Sequence, residues 1–367
     1  MNEKLNTVEN IYKTMEGFGG ALGIMGNGVL VESDIDEVLK SIKTTIKVVG
    51  VGGAGCNSIS RMNDEGIEEV ELIAINTDAQ HLLHTRAPRK ILIGKNVTKG
   101  LGAGSIPELG EEAAKESEEE VRAALEGADM VFITCGLGGG TGTGGAPVIA
   151  SIAQEIGALT IGVSTLPFKA EGLPRQKNAM MGLAKLRRGA NTTIVVPNDK
   201  LLEVVPDLPL TRAFRVADEV LLRGVKGIAE LITRPGIINL DFADLKTVML
   251  SGDVALIGLG ESEGADRAEE AIKAALESPL LSVDTSSGNS ALINIIGGND
   301  MTLQEAEKVV EEVSRRISDN AKIIWGTSTD DSLRSALRAL IVITGVKSPQ
   351  LLGPLSIETK DLGIDFI

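Results

Sequence analysis

From Thr45 onward the chain alternates short apolar runs with longer stretches in which apolar residues recur every three or four positions. TTIKVVGVG (44–52), ELIAIN (71–76), MVFITC (130–135) and LTIGVST (159–165) have the length and β-branched content of strands. Helical stretches lie between them, the first near Cys56–Glu65 and a later one markedly acidic. Strands alternating with helices predict right-handed βαβ crossovers, and therefore a parallel sheet covered on both faces. The run VFITC is almost wholly apolar or β-branched, as expected of a strand buried on both sides.

A different pattern follows. Phe214, Ala217, Leu221, Val225, Ile228 and Leu231 fall at helical spacing and predict one buried helix over Leu210–Thr233, stopped by Arg234-Pro235-Gly236. Beyond it, DVALIGLG, ALINIIGG, AKIIWGT and RALIVITGV read as strands, with helices over Asp266–Glu277 and Leu303–Asp319. Thr302 and Glu305 have the spacing of a capping box for the second of these helices. The expected fold is α/β: a Rossmann-like parallel-sheet domain (42–209) joined by a long central helix (210–236) to a smaller α+β domain (237–346). A Gly-rich, flexible extension (1–41) precedes it and a tail (347–367) follows.

Composition narrows the function. A length of 367 residues suits about two domains. A net charge of −15 repels phosphate backbones, and 2% aromatic residues supply few stacking platforms, so nucleic acid is not an expected partner. Two cysteines cannot build a disulfide framework and the first residues lack a signal-peptide layout, which points to a reducing, cytoplasmic setting. No run approaches the roughly 18 apolar residues a membrane helix needs, so direct membrane insertion is not expected.

The 43 glycines are concentrated in informative places. Gly50-Val51-Gly52-Gly53-Ala54-Gly55 matches G-x-G-x-x-G between a strand and a helix, a place where amides and the helix dipole favour phosphate. Alone it fits a dinucleotide fold, with Asp78 standing where a ribose-binding acid belongs. A second run, Gly136 to Gly145, follows MVFITC and precedes a helix expected to open at Ala146-Pro147. A structural turn needs only one or two glycines, so this loop is read as backbone wrapped around a polyphosphate, with the Thr141 and Thr143 hydroxyls as further donors. No Walker-type Lys is present, which leaves charge neutralisation to amides, helix dipoles and Mg²⁺. A third loop, Gly100 to Glu108, has the same logic and would cover the terminal phosphate, while the acids from Glu111 to Glu120 read as a solvated helix face.

The string GGGTGTGG (138–145) is the tubulin signature. Together with VGVGGAGCN, NTDAQ, GAGSIPELG, LPFKAEGLPR, PNDKLL and ITRPGIINLDFADL, in order from about 45 to 345, it makes the chain resemble the FtsZ branch of the tubulin superfamily. The LGIDFI ending looks more like archaeal than bacterial members. The resemblance implies a cytoskeletal GTPase that polymerises head to tail and builds the cell-division ring at mid-cell. It implies GTP or GDP held at the α- and β-phosphates by Gly53, Ala54, Gly55, Cys56 and Asn57, on the γ-phosphate side by Ala103 and Gly104, and from the signature loop by Gly140, Thr141 and Gly142. Gly52, Asn76, Gly138, Gly139 and Thr143 complete that set. Glu171 and Arg175 match ribose and phosphate contacts, and Asn198, Phe214 and Asp218 match the guanine pocket. Phe214 offers a stacking face, and the Asp218 carboxylate can accept from N1–H and the exocyclic amine of guanine, a donor pair adenine lacks. Ser105-Ile106 before Pro107 departs from the Asn or Gly of many relatives, which implies a differently set γ-phosphate loop.

Asp241 and Asp244, in a loop expected over Asn239–Asp244, are the acids that can orient water for hydrolysis, with Asn239 beside them, although on their own they equally suit carboxylates that solvate a loop. If Asp218 reads guanine, the roughly 15 further residues of its helix carry the chain about 22 Å away, so these acids are expected to serve the neighbouring subunit of a stack. His81 and His84 read as surface residues. The tail Leu362–Ile367 has apolar anchors suited to a groove, and the resemblance implies a membrane-tethering adaptor there. An NAD-dependent oxidoreductase and a nonhydrolysing tubulin-like scaffold are the competing readings. The signature loop argues against the first, and the two acids against the second.

Overall fold

In the computed structural model the described residues are 44–67, 69–204, 209–233, 236–238, 240–250, 253–281, 288–318 and 320–346. The expected extension (1–41), the Arg234-Pro235 stop, Asn239 and the tail (347–367) lie outside them.

The predicted alternation is present: β1 (Ile46–Val51), α1 (Gly52–Asp64), β2 (Val70–Asn76), α2 (Ala79–His84), β3 (Arg89–Leu92), α3 (Pro107–Glu116), α4 (Glu118–Leu125), β4 (Met130–Gly136), α5 (Thr141–Glu155), β5 (Leu159–Leu166), α6 (Leu173–Gly189), β6 (Thr192–Pro197) and α7 (Asn198–Val204). After these come α8 (Leu210–Thr233), α9 (Phe242–Leu250), β7 (Asp253–Glu263), α10 (Arg267–Leu276), β8 (Ser290–Gly297), α11 (Leu303–Ser314), β9 (Lys322–Thr329) and β10 (Ala336–Thr344). Helix α8 has the limits its periodicity predicted, and Thr302 with Glu305 forms the expected capping box.

The strands make one ten-stranded sheet in the order β3-β2-β1-β4-β5-β6-β7-β10-β8-β9. All neighbours run parallel except β10, which is antiparallel to both β7 and β8. A short register, Thr192↔Asp253, Thr193↔Val254 and Ile194↔Ala255, joins β6 to β7. Alternate residues of the central strands feed two cores. Val49, Val51, Ile133 and Cys135 pack under α3 to α6, whereas Val48, Met130 and Phe132 pack under α1 and α8. Leu221, Val225 and Ile228 supply the buried stripe of α8. On the outermost strand β9, the chain's single tryptophan, Trp325, is half-buried against the first core.

Three local expectations need correction. Helix α5 begins at Thr141, not at Ala146-Pro147, so most of the signature run forms its first turns and Pro147 lies inside the helix. The acidic stretch is two helices, α3 and α4, broken at Ser117. Asp244 belongs to the first turn of α9 and not to an open loop.

The early start of α5 has a packing cause. A Cβ on Gly144 would lie 1.8 Å from the Pro107 carbonyl oxygen, and one on Gly110 would lie 2.4 Å from that of Gly140. Helices α3 and α5 therefore meet backbone to backbone, an approach that only glycine permits. Gly139, by contrast, has open space around it. Gly144→Ala is expected to destabilise the fold by about 3 kcal/mol through overpacking, and Gly139→Ala by less than about 0.5 kcal/mol. Urea midpoints of the two variants check this, and equal midpoints would remove the packing role.

Candidate functional site

Strands β1, β4, β5 and β6 all end on one edge of the sheet, where α1 and α5 begin. The first N–H groups of each helix lack intrahelical partners and carry partial positive charge, so this edge is suited to an anion. A cleft of about 280 Å³ opens there. It gathers Gly53 and Ala54 from α1, Gly104 from the third glycine loop, and Gly139, Gly140, Thr141 and Gly142 from the signature run. Glu171, Arg175, Asn198, Phe214 and Asp218 complete the predicted part of its wall.

The other candidates stand behind that wall or beside it. Gly52 has φ +73°, and a Cβ there would lie 2.8 Å from the Gly142 nitrogen, so it lets the starts of α1 and α5 touch. Gly55 is pressed on the Thr134 carbonyl in the same way. Cys56 is fully buried, with Sγ 3.6 Å from the Ile75 oxygen, and burial pushes its thiol up to about 12. Asn76 Oδ1 accepts the Thr77 and Asp78 N–H groups at 2.9 and 3.2 Å, which commits it to a turn. Ala103 is buried behind Gly140. The Gly138 N–H donates to Thr143 Oγ1 at 2.9 Å, so Thr143 is a buried brace of the loop. Asn57 faces an adjoining polar cavity of about 690 Å³ that shares Phe214 and Asp218 with the cleft. Asp78 caps α2 by accepting the His81 N–H at 2.9 Å, a structural use of the acid the dinucleotide reading required. His84 is exposed, and His81 is half-buried with Nδ1 3.1 Å from Asn76 Nδ2.

At the far end of the cleft, Phe214 is 41% exposed and held edge-on by Phe168, with centroids 5.2 Å apart and planes at 82°. Phe168 itself is buried, and its support of the exposed ring was missed in the sequence. So were Thr165, Pro167 and Ala217 in the wall. Ala217 lies three residues after Phe214, and helical spacing alone puts it on that face. Asn198 Oδ1 is buried without a hydrogen-bond partner among the described residues. Burial raises the Asp218 carboxyl to about 6, against the lowering effects of the Arg61 charge and the Ser58 hydroxyl. Arg175 pairs with Glu171 at 2.5 Å, and Glu171 also accepts the Phe168 N–H at 2.9 Å.

Asp241 and Asp244 do not line this cleft. Both are exposed. Asp241 Oδ1 caps α9 by accepting the Ala243 N–H at 3.1 Å, and Asp244 lies 4.0 Å from Lys322 at the start of β9. The other end of α9 meets the start of β6, where the Thr192 hydroxyl donates to the Met249 carbonyl. Helix α9 thus runs along the edge where β6 and β9 begin, opposite the edge that carries the cleft. Strand β6 alone separates those edges by about 17 Å.

A phosphate-type cradle of glycine amides and a pocket pairing an aromatic ring with a carboxylate, at the end of a parallel sheet that a long helix crosses, mark the tubulin-like class of GTP-binding proteins. In agreement, residues 45–206 match the family described as Tubulin/FtsZ family, GTPase domain, and residues 253–347 match FtsZ family, C-terminal domain. The chain belongs to the FtsZ family of tubulin-like GTPases. It is 60% identical over 338 residues to cell division protein FtsZ 1 of Archaeoglobus fulgidus, covering 92% of both chains. It is 54% identical over 353 residues to cell division protein FtsZ of Haloferax mediterranei, covering 96% of this chain and 94% of the relative. Its structure is similar to an FtsZ dimer from M. jannaschii (TM-score 0.82, 56% identity, 86% of this chain and 92% of the other). CetZ2 from Haloferax volcanii shares the fold at 23% identity (TM-score 0.73, 87% and 99%).

The charge of Asp218 is the titratable feature of the cleft. Its folded value lies above the ordinary value of 3.8, so acidification from about 6 toward 4 favours the fold at this group while removing its acceptor charge. Carboxyl NMR is expected to show a midpoint near 6, displaced upward in Arg61→Ala because the opposing cation is gone. A midpoint near 4 in the parent would contradict the burial.

Proposed function

We propose that this chain is a division GTPase that binds GTP in the cleft, stacks head to tail into filaments and hydrolyses GTP only where two subunits meet. The observation that carries this reading is the placement of Asp241 and Asp244 on the sheet edge opposite the cleft. An exposed acid pair on one end and an open nucleotide cleft on the other are two different surfaces, and their contact is heterologous and non-closing, the arrangement that makes filaments. The similar M. jannaschii protein is an FtsZ dimer, which supports self-association.

Within the cleft, the amides of Gly53, Ala54, Gly140 and Gly142 would hold phosphate oxygens, with the Thr141 hydroxyl as a further donor. Phe214 would stack on guanine, and ionised Asp218 would accept from N1–H and the exocyclic amine, which selects against adenine. The orphaned Asn198 oxygen offers a second acceptor to the base. Arg175, paired with Glu171, would reach toward the ribose and phosphates. Mg²⁺ would be held by the nucleotide's own phosphate oxygens and water, because the cleft's glycine amides are hydrogen-bond donors to phosphate and not metal ligands. When bound, Mg²⁺ would offset the phosphate charge. A neighbour's Asp241 and Asp244 would then orient the attacking water. The filament would serve the division ring at mid-cell in the cytoplasm, with the tail Leu362–Ile367 tethered to the membrane through an adaptor. Among the described residues no helix is long and apolar enough to cross a membrane.

The nonhydrolysing scaffold keeps one observation in its favour, that Asp241 already serves as a helix cap. Asp241→Asn separates the two roles, since Asn caps helices as well as Asp but lacks the charge. The variant is expected to fold, bind GTP and assemble, yet turn over about 100-fold more slowly. In the parent, turnover per subunit should rise steeply above a threshold concentration. A rate per subunit independent of concentration, or an unimpaired Asp241→Asn, would defeat hydrolysis in trans, and no turnover at all would favour the scaffold.

A further inference from the structure

Thr77 follows β2 and is fully buried, and it does not line the cleft. Its hydroxyl oxygen lies 2.7 Å from that of Thr141, the first residue of α5 and part of the cleft wall. The rest of Thr77 is fixed on three sides. Its N–H donates to Asn76 Oδ1 at 2.9 Å, and its carbonyl accepts from the Gly102 N–H at 3.1 Å and the Thr98 hydroxyl at 3.3 Å. The same loop is tied to the signature run through the Gly140 N–H, which donates to the Gly104 carbonyl at 3.0 Å.

We infer that Thr77 is a positioning residue for phosphate binding: its hydroxyl donates to Thr141 Oγ1 and so directs the single Thr141 proton into the cleft. Each hydroxyl has one proton to give and two lone pairs to receive. If Thr141 donated inward, it would turn lone pairs toward an anionic phosphate, and the Thr77 proton would need another acceptor in the interior. With the donation running from Thr77 to Thr141 to phosphate, both protons are used and each bond polarises the next. No proton is transferred; the arrangement sets direction only. The contact also explains why a buried hydroxyl is useful at the end of β2, where an apolar β-branched residue would fill the same space.

The inference rests on the reading that the cleft takes GTP. Its test compares binding of GTPγS by the full chain with Thr77→Val, Thr77→Ser, Thr141→Val and the double variant Thr77→Val/Thr141→Val, with urea midpoints to verify folding. Thr77→Val is expected to weaken binding about tenfold, and Thr77→Ser to retain parental affinity because it keeps the hydroxyl. The double variant should bind no more weakly than Thr141→Val, since Thr77 acts through that residue. Parental affinity in Thr77→Val, equal losses in the Ser and Val variants, or additive losses in the double variant would each overturn the role. A parent chain that does not bind GTPγS would instead defeat the reading of the cleft, and the inference would fall with it.

Discussion

The contact on which most of the site depends is the backbone-to-backbone approach of α3 to the first turns of α5. Gly110, Gly140 and Gly144 have no side chain to hold these helices apart, and a Cβ at any of them would fall on a carbonyl oxygen. Close approach brings the loop before α3 against the signature run, where the Gly140 N–H reaches the Gly104 carbonyl. This part of the cleft wall is therefore largely backbone, from Gly104, Gly139, Gly140 and Gly142, with the Thr141 hydroxyl among them. The conformational entropy lost by glycine on folding is offset by a surface rich in amide donors.

Charge is distributed to the same end. A chain of net charge −15 must receive a polyanion, and among the cleft residues Arg175 is the cation, already paired with Glu171. Asp241 and Asp244 lie on the opposite sheet edge, where their charge does not add to the repulsion of an anion entering the cleft. Asp218, the acid that does sit in the cleft, is shifted by burial toward its neutral form. On the proposed reading, that separation leaves a lone subunit open to nucleotide but without the acids that would act on water.

Much of this was legible along the chain. Strands such as MVFITC were visible because a strand buried on both faces is apolar throughout, and α8 was visible because its buried stripe repeats without interruption. The ordered glycine motifs indicated the family before any geometry. The start of α5 was not legible, since local propensity treats a glycine-rich run as loop and tertiary packing overrode it. Nor was the division of labour among the loop residues. Thr141 and Thr143 are two apart in one motif, yet one faces the cleft and the other braces Gly138, and only the helix beginning at Thr141 separates them. Helix α9 was hidden because Asp241, read as a chemical group, is also its cap.

Trp325 gives the fold an experimental convenience. As the only indole in the chain, on the outermost strand and half-buried, it provides an emission signal that comes from one place. Its neighbour Ile324 turns to the opposite face and shares a core with Leu245 of α9. An intrinsic fluorophore therefore stands one residue along β9 from the position that packs with α9, on the other face of the sheet and away from the cleft residues. Its spectrum can register events at that end of the subunit without any dye, label or added chromophore.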